Sequence, residues 1–212
     1  MEIKIGIPED IEKIAICHRA AFPKSLSSAL GLDYVKVMLM WYLSTEQTFL
    51  FYIEESGNCI GYCGGMIRKA TGGYGSASSM AQFSFRAAVK GFLKKPWLLF
   101  HPEVRGKYRF IFRNIVNRFK KVTPNLNPGR RISNIEPTAS LVVIGVKPAY
   151  QGKGYGSMLL QEFERITLER GLKKMLLSVR TDNVQAIKSY SKNGWITTQV
   201  NGMSTTMEKE LK

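Results

Sequence analysis

The sequence predicts an α/β fold, and three features carry that prediction. Residues 141–146 form an apolar run that is too short for a helix and rich in β-branched side chains, which is typical of a strand buried on both faces. A glycine-dense loop and an amphipathic helix follow this run. Near the C-terminus, Asn201-Gly202 joins two segments, 196–200 and 203–208, and indicates a closing hairpin.

The N-terminal part of the chain begins with a predicted strand and continues in helices. Ile3, Ile5 and Ile7 alternate with polar residues, which predicts a first strand. Apolar spacing predicts a helix that extends to Phe22 and a second helical segment over residues 23–42. The aromatic residues of these helices are expected to be core residues, with contact to a substrate as the alternative.

A hairpin and a long insertion come next. Residues 48–54 and 59–68 read as two strands, joined by a turn at 56–58. Residues 70–134 then form an insertion that carries thirteen Lys and Arg side chains against the single carboxylate of Glu103, so most of the net charge of +15 lies there. Two helices are expected in it, with breaks at Pro96 and Pro102.

The insertion leaves three interpretations open. Its second predicted helix has an apolar stripe formed by Tyr108, Ile111, Ile115 and Phe119 beside a basic face. The insertion could be a helical hairpin with a solvated basic face. It could instead contact an anionic membrane surface, or a phosphorylated or lipid-linked substrate. Binding of nucleic acid is the least favoured interpretation, although a polyanion site is compatible with the charge.

Composition excludes several other classes of protein. A chain of 212 residues with 44% hydrophobic content is long enough for one ordinary domain with its own core. It contains no apolar run of about 18 residues, so a membrane-spanning helix is not expected. Cys17, Cys59 and Cys63 have no metal-ligand spacing and are interpreted as buried free thiols of a cytoplasmic protein, with Cys59 and Cys63 on one face of a strand.

The glycine-dense loop has the spacing Gln151-x-x-Gly154-x-Gly156. It is not a Walker A loop, and Ser157 occupies the position where a dinucleotide fingerprint needs its third glycine. Ser157 is instead suited to the cap or first turn of a helix that extends to about residue 170. A strand, a glycine loop and a helix in this order can hold a phosphate on free backbone N–H groups.

A second motif lies downstream, with the pattern Asn183-x-x-Ala186-x-x-x-Tyr190-x-x-x-Gly194-Trp195. Together the two motifs resemble those of the GNAT acyltransferases, closely over the C-terminal third of the chain and loosely over the first part. The resemblance implies a mixed, twisted sheet flanked by helices. It also implies one domain over residues 1–212, with the insertion 70–134 as the main departure and an acetyl-CoA-binding core at 141–195.

The resemblance further implies acetyl-CoA as the acyl donor and assigns roles to residues. The loop would hold the pyrophosphate, and the strand before it would pair with the pantetheine arm. Tyr190 would protonate the departing thiolate, because a phenol can donate without being ionised itself. Glu136 is the first expectation for the general base, with an ordered water path as the alternative. The residues expected to bind the cofactor are Ile144, Gly145, Val146, Gln151, Gly152, Lys153, Gly154, Tyr155, Gly156, Ser157 and Asn183.

The expected function is therefore direct transfer of an acetyl group to a primary amine within a ternary complex. An amino sugar, or another small phosphorylated or lipid-linked amine, is the favoured acceptor, and no metal is expected. A protein N-acetyltransferase is an alternative acceptor class. A second hypothesis makes the chain a binding module in which the basic insertion, in contact with membrane or nucleic acid, carries the function.

Overall fold

The computed structural model describes residues 1–68, 76–105 and 136–211. These residues build a seven-stranded sheet of order β1-β2-β3-β4-β5-β7-β6. The pair β4–β5 is parallel and the other neighbours are antiparallel. The strands are β1 (Glu2–Ile5), β2 (Thr48–Glu55), β3 (Asn58–Arg68), β4 (Thr138–Val146), β5 (Lys174–Arg180), β6 (Ile196–Asn201) and β7 (Ser204–Glu210).

Helices cover both faces of the sheet. The described helices are α1 (Ile11–Ala21), α2 (Leu26–Leu30), α3 (Leu32–Met40), α4 (Ser76–Phe83), α5 (Phe85–Lys94), α6 (Pro102–Arg105), α7 (Tyr155–Glu169) and α8 (Val184–Lys192). One core cluster joins α1 and α3 to the sheet through side chains such as Ile14, Leu39 and Tyr62. The other joins α7 and α8 to the opposite face through Leu159 and Phe163. The predicted mixed α/β architecture is confirmed.

The strand, the helices and the hairpin predicted for the N-terminal part are present, with one correction. Residues 23–42 do not form one helical segment, because Gly31 interrupts it with φ +111° and separates α2 from α3. The predicted hairpin is present as β2 and β3, and its turn places Ser56 and Gly57 at positive φ. Trp41 and Tyr42 are buried core residues.

The described part of the insertion is helical and packs against α2 and α3. Pro96 begins a 3₁₀ turn and Pro102 begins α6, so both predicted breaks are confirmed. The amine of Lys95 donates to the carbonyl of Ala29 at 2.7 Å. The backbone N–H of Leu26 donates to the carboxylate of Glu103 at 3.1 Å. The predicted second helix, over 108–119, lies outside the described residues.

A β-bulge corrects the expectation for two cysteines. Ile53 of β2 pairs with Gly61, whereas Glu54 pairs with Cys59, so β3 contains one extra residue there. The bulge reverses the alternation of side chains between Cys59 and Cys63. Cys59 therefore packs in the cluster with α1 and Cys63 in the cluster with α7. All three cysteines are buried and free, as predicted.

The C-terminal half follows the predicted order with one strand added. The helix after the glycine loop ends before Gly171, which has φ +70°. The predicted closing hairpin is present, with Gly202 in its turn. β5 was not predicted, and it forms the parallel partner of β4. Among residues 1–68, 76–105 and 136–211, no helix combines the length and apolar character needed to cross a bilayer.

Candidate functional site

The site begins where β4 and β5 separate. Their parallel pairing covers Ala139 to Leu141 on β4 and Met175 to Leu177 on β5. Beyond these residues, both strands continue while pairing only with their outer neighbours, β3 and β7. Residues 142–146 of β4 therefore present an edge of backbone N–H and C=O groups that no described strand occupies. Such an edge can accept an extended ligand as an added strand.

A bulge in β4 lies at the point of separation. Gly64 of β3 pairs with Val143, whereas Gly65 pairs with Leu141, so Val142 is the extra residue. Val142 and Val143 both pack toward the α1 face, and Ile144 returns to the α7 face. A bulge increases the local twist and bends its strand. Here it accompanies the opening of the gap between β4 and β5.

The glycine loop lies at the carboxyl end of β4. Gly152 and Gly154 have φ of +76° and +89°, which is the left-handed region that favours glycine. A Cβ added at Gly152, Gly154 or Gly156 would meet no protein atom within 4 Å. The amide of Gln151 donates to the carbonyl of Val146 at 3.0 Å, which ties the loop to the end of the strand. The loop thus exposes its backbone on the side away from the protein.

The first turn of α7 supplies further donors. Gly154 is the N-cap, and the first helical bond runs from the N–H of Met158 to the carbonyl of Gly154. The N–H groups of residues 155–157 therefore have no acceptor within the helix. Ser157 is in this first turn, as predicted, and its hydroxyl accepts from the amide of Asn193 at 3.2 Å. Free amides beside the positive end of a helix favour a bound phosphate.

The side chains in and beside this loop include a cation and two aromatic rings. The amine of Lys153 lies over the ring of Tyr150, 5.5 Å from its centroid. The rings of Tyr150 and Tyr155 are 5.9 Å apart. Lys153 is exposed, so it is available to a polyanionic ligand as well as to solvent. The loop thus pairs a backbone site for phosphate with a nearby cation.

Tyr190 approaches the β4 edge from the α7 face. It is buried in the core cluster that contains Ile144, and its ring packs 6.2 Å from that of Trp195. Burial, and in smaller measure the nearby Cys63 thiol, raise the pKa of Tyr190. Cys63 pairs with Ile144 across β3 and β4, and both residues belong to the cluster in which Tyr190 is buried. A tyrosine held in its neutral form can donate a proton at neutral pH.

Asn183 is the N-cap of α8, as predicted. Its side-chain oxygen accepts from the N–H of Ala186 at 3.2 Å. The cap starts the helix at the tip of β5, and that helix carries Tyr190. Gly194 ends the same helix with φ +82°. The second motif therefore fixes both ends of the helix that brings Tyr190 to the gap.

The α1 face of β4 carries a cluster of side chains that the sequence did not predict to lie together. A Cβ on Gly145 would lie 2.7 Å from Phe22 and 3.1 Å from Tyr62, so these rings press against the strand there. The buried imidazole of His18 contacts the hydroxyl of Tyr62 through Nδ1 at 2.5 Å and the hydroxyl of Ser27 through Nε2 at 2.8 Å. Only the tertiary fold brings these three segments together.

His18 is neutral at physiological pH. Burial lowers the pKa of the His18 imidazole to about 4. Its two hydroxyl partners satisfy both ring nitrogens, with one nitrogen donating and the other accepting. The arrangement gives the α1 face of the gap a chain of polar groups inside an otherwise aromatic wall.

Glu136 lies at the other end of β4. It is exposed and precedes the strand, at the end where β4 and β5 are paired. Glu208, and more weakly Glu136, raise the pKa of Lys174, which begins β5. The open edge starts at residue 142, several residues farther along β4. The predicted general base is therefore not among the groups that the fold brings to the gap.

An acidic and a basic group mark the mouth of the gap at the tip of β5. Arg180 donates to both carboxylate oxygens of Asp182, at 2.9 and 2.5 Å. Asp182, and more weakly Glu103 of α6, raise the pKa of Arg180. Glu103 also accepts from the N–H of Leu26 at the start of α2. This bond holds α6 of the insertion against the start of α2.

One segment of the chain matches a known family. Residues 125–195, about a third of the chain, match the sequence model of the acetyltransferase (GNAT) family. A segment of 59 residues is 37% identical to the mycothiol acetyltransferase of Nocardia farcinica and covers 28% of this chain. The match spans only 20% of that relative's length.

Solved structures confirm the fold. The PaiA N-acetyltransferase of Thermoplasma acidophilum, in complex with coenzyme A, has a TM-score of 0.54 at 16% identity, with 99% of each chain covered. The ribosomal-protein-S18-alanine N-acetyltransferase of Escherichia coli has a TM-score of 0.55 at 14% identity over 100% of this chain and 94% of its own. A GNAT protein of Desulfovibrio desulfuricans reaches 0.60 at 12% identity, covering 100% and 99%.

GNAT acetyltransferases use acetyl-CoA, and the PaiA structure contains coenzyme A. The loop, the helix start and the β4 edge have the chemistry that this molecule requires: donors for its pyrophosphate, and a strand edge for its amide-containing arm. Within the described part of the chain, no group of three or more His, Cys, Asp and Glu side chains is placed to hold a metal ion.

Proposed function

We propose that this protein is an acetyl-CoA-dependent N-acetyltransferase that transfers the acetyl group directly to a primary amine. The observation that carries the proposal is the gap between β4 and β5, with the glycine loop at one end and Tyr190 beside it. Acyl transfer requires a fixed thioester, an oxyanion donor and a proton for the leaving thiolate. Each of these has a candidate group around the gap.

The cofactor would bind along two elements. Its pyrophosphate would accept hydrogen bonds from the N–H groups of the 152–157 segment, with Lys153 adding charge. Its pantetheine arm would extend along Ile144, Gly145 and Val146. An N–H group of that edge would donate to the thioester oxygen, and Asn183 would contact the cofactor beside the helix start. When bound, acetyl-CoA supplies the activated acyl group.

Tyr190 would act as the general acid. Burial keeps its phenol protonated, and its ring packs in the same core cluster as Ile144, a residue of the strand that would hold the pantetheine arm. Among the described residues, no hydrogen bond occupies its hydroxyl, so that group is available to the thiolate. The amine must lose a proton as well. Because Glu136 lies at the far end of β4, an ordered water path on the α1 face, next to His18 and Ser27, would remove this proton.

The acceptor would be a small amine, and an amino sugar on a phosphorylated or lipid carrier fits the charge of the insertion. Two hydrogen bonds hold the segment 95–103 on α2, so the insertion adds bulk beside the helices of the α1 face, and a small acceptor is proposed ahead of a protein terminus. A protein N-acetyltransferase would need that face to admit an extended chain. The alternative from another class is a binding module, which salt-dependent binding of anionic vesicles or nucleic acid without affinity for CoA would favour.

The test separates binding from chemistry. Acetyl-CoA binding is measured by calorimetry, and release of free CoA thiol is measured after addition of amines, starting with nucleotide-linked amino sugars. Tyr190→Phe should bind acetyl-CoA as the wild type does and should lose roughly 10²–10⁴-fold in kcat, the usual contribution of a general acid. Tyr52→Phe is the matched control, because Tyr52 lies on β2, which β3 separates from the gap. A folded wild type that does not bind acetyl-CoA would refute the proposal and favour the module, and binding without transfer to any amine would refute the transfer step.

A further inference from the structure

The described part of the insertion exposes an apolar row next to a basic row. Val89 and Leu93 lie four residues apart on α5, and Trp97 and Phe100 lie in the 3₁₀ turn that follows this helix. The side chains of Leu93, Trp97 and Phe100 are 79%, 63% and 75% exposed. Arg86, Lys90 and Lys94 lie beside this row. We call these seven residues the basic apolar face.

The opposite side of α5 is already occupied by the body of the protein. Gly91 is buried, and a Cβ there would lie 2.8 Å from the side chain of Leu30 on α2. Ser84 and Leu98 are buried on the same side. The helix therefore has two apolar sides, of which one packs on α2 and α3 and the other faces outward. Packing among the described residues does not explain why the outward side of α5 is apolar.

The charges of this segment all favour an anionic partner. Residues 76–105 contain five cations and one carboxylate, that of Glu103, which accepts from the backbone of Leu26 and so faces the body. Arg86, Lys90 and Lys94 are exposed, and none has an ion-pair partner among the residues that the structure describes. An uncompensated row of cations beside exposed large apolar side chains is suited to a partner that is both anionic and apolar.

We propose that the basic apolar face binds the surface of a bilayer that contains anionic lipids. An interfacial helix places its apolar side chains at the boundary between headgroups and acyl chains, while Lys and Arg contact the anionic headgroups. Tryptophan is favoured at this depth because its ring is amphipathic. The aliphatic side chains of Val89 and Leu93 favour lipid over nucleic acid, which would use cations and stacked aromatic rings.

Binding to vesicles provides the direct test, with the full chain and without acetyl-CoA, so the result is independent of the proposed enzymatic function. The protein should sediment with vesicles of phosphatidylcholine mixed with phosphatidylglycerol and remain free with phosphatidylcholine alone. Added salt should weaken the binding. The triple variant R86Q/K90Q/K94Q should bind at least tenfold more weakly, since each cation near an anionic surface contributes roughly fivefold. The matched control K173Q/K188Q/K192Q removes the same charge from exposed positions elsewhere and should bind more tightly than the test variant.

The tryptophans give a second and local readout. The chain has three, and Trp41 and Trp195 are buried, so the change in fluorescence on vesicle binding should come from Trp97. Its emission should shift to the blue with anionic vesicles and become protected from acrylamide, and Trp97→Phe should abolish the shift. The pair L93S/F100S should weaken binding, whereas I196S/V200S, at comparably exposed positions of β6, should not.

Four results would overturn the inference. Equal binding to neutral and anionic vesicles, or no binding to either, would exclude an anionic bilayer as the partner of this face. Protection of Trp97 from acrylamide without vesicles would show that the chain itself covers the face, with the segment 106–135 as the occupant. A blue shift that grows with protein concentration would assign the face to a second copy of the chain. Tight, salt-sensitive binding of nucleic acid with no vesicle binding would likewise exclude the bilayer.

Discussion

Alanine at Gly156 should make the protein more stable and its binding of acetyl-CoA weaker. Gly156 is the second residue of α7 and has ordinary helical geometry, and a Cβ there would meet no protein atom within 4 Å. Alanine is the better helix former by roughly 0.5–1 kcal/mol in a helix interior, and a first-turn position should show about half of that. For a chain of this size, the melting temperature should rise by roughly 1–2 °C.

The loss of affinity arises because the new methyl group occupies the space where a phosphate would approach the N–H groups. Loss of one hydrogen bond to a charged group corresponds to roughly 1.5–3 kcal/mol, which is about ten- to a hundredfold in Kd. Calorimetric titration with acetyl-CoA and thermal unfolding measure the two effects in the same samples. Opposite signs in stability and affinity distinguish a ligand contact from a general loosening of the fold.

Two other glycines complete the comparison. Gly154→Ala should weaken binding and also destabilise the protein by roughly 1–2 kcal/mol, because φ is +89° there. Gly171→Ala should destabilise it similarly, since φ is +70°, but leave binding unchanged because Gly171 lies at the other end of α7. The reasoning would be refuted if Gly156→Ala gained stability and bound acetyl-CoA as tightly as the wild type does.

Three further predictions concern stability and capping. The pKa of His18 is about 4 in the folded protein and near 6.5 in the unfolded chain, so the unfolded chain takes up the proton first as the pH falls. The free energy of unfolding, measured with urea, should therefore fall by roughly 2–3 kcal/mol between neutral pH and about pH 4.5. This loss should be absent in His18→Gln. Equal pH dependence of the two proteins would contradict this assignment. Asn183→Ala should cost about 1 kcal/mol in unfolding experiments through loss of the α8 cap, whereas Asn183→Asp should restore most of it; no difference between the two would argue against the cap. Gly65→Ala should destabilise by roughly 1–3 kcal/mol, because its Cβ would overlap the rings of Phe49 and Phe163, and a melting temperature equal to that of the wild type would exclude that overpacking.

Local chemistry explains what the sequence determined by itself. The β-branched run before the loop, the left-handed glycines in it and the asparagine cap of α8 are each set by interactions within a few residues. Their spacing therefore predicted the strand, the loop and the helix that carry the candidate site. Pro96 and Pro102 marked the helix breaks of the insertion for the same reason, since proline removes a backbone donor.

The features that only the tertiary structure decided depend on pairing between segments that are distant in sequence. The separation of β4 from β5 arises from register, and β5 has no local signal that distinguishes its paired residues from its free ones. The bulge in β3 sent Cys59 and Cys63 to opposite faces, because one extra residue reverses the two-residue alternation of a strand. The assembly of His18, Tyr62 and Gly145 requires three elements that are distant in sequence. Glu136 was placed by its nearness in sequence to β4, but distance along a strand grows by about 3.3 Å per residue, and the fold put it at the closed end of the gap.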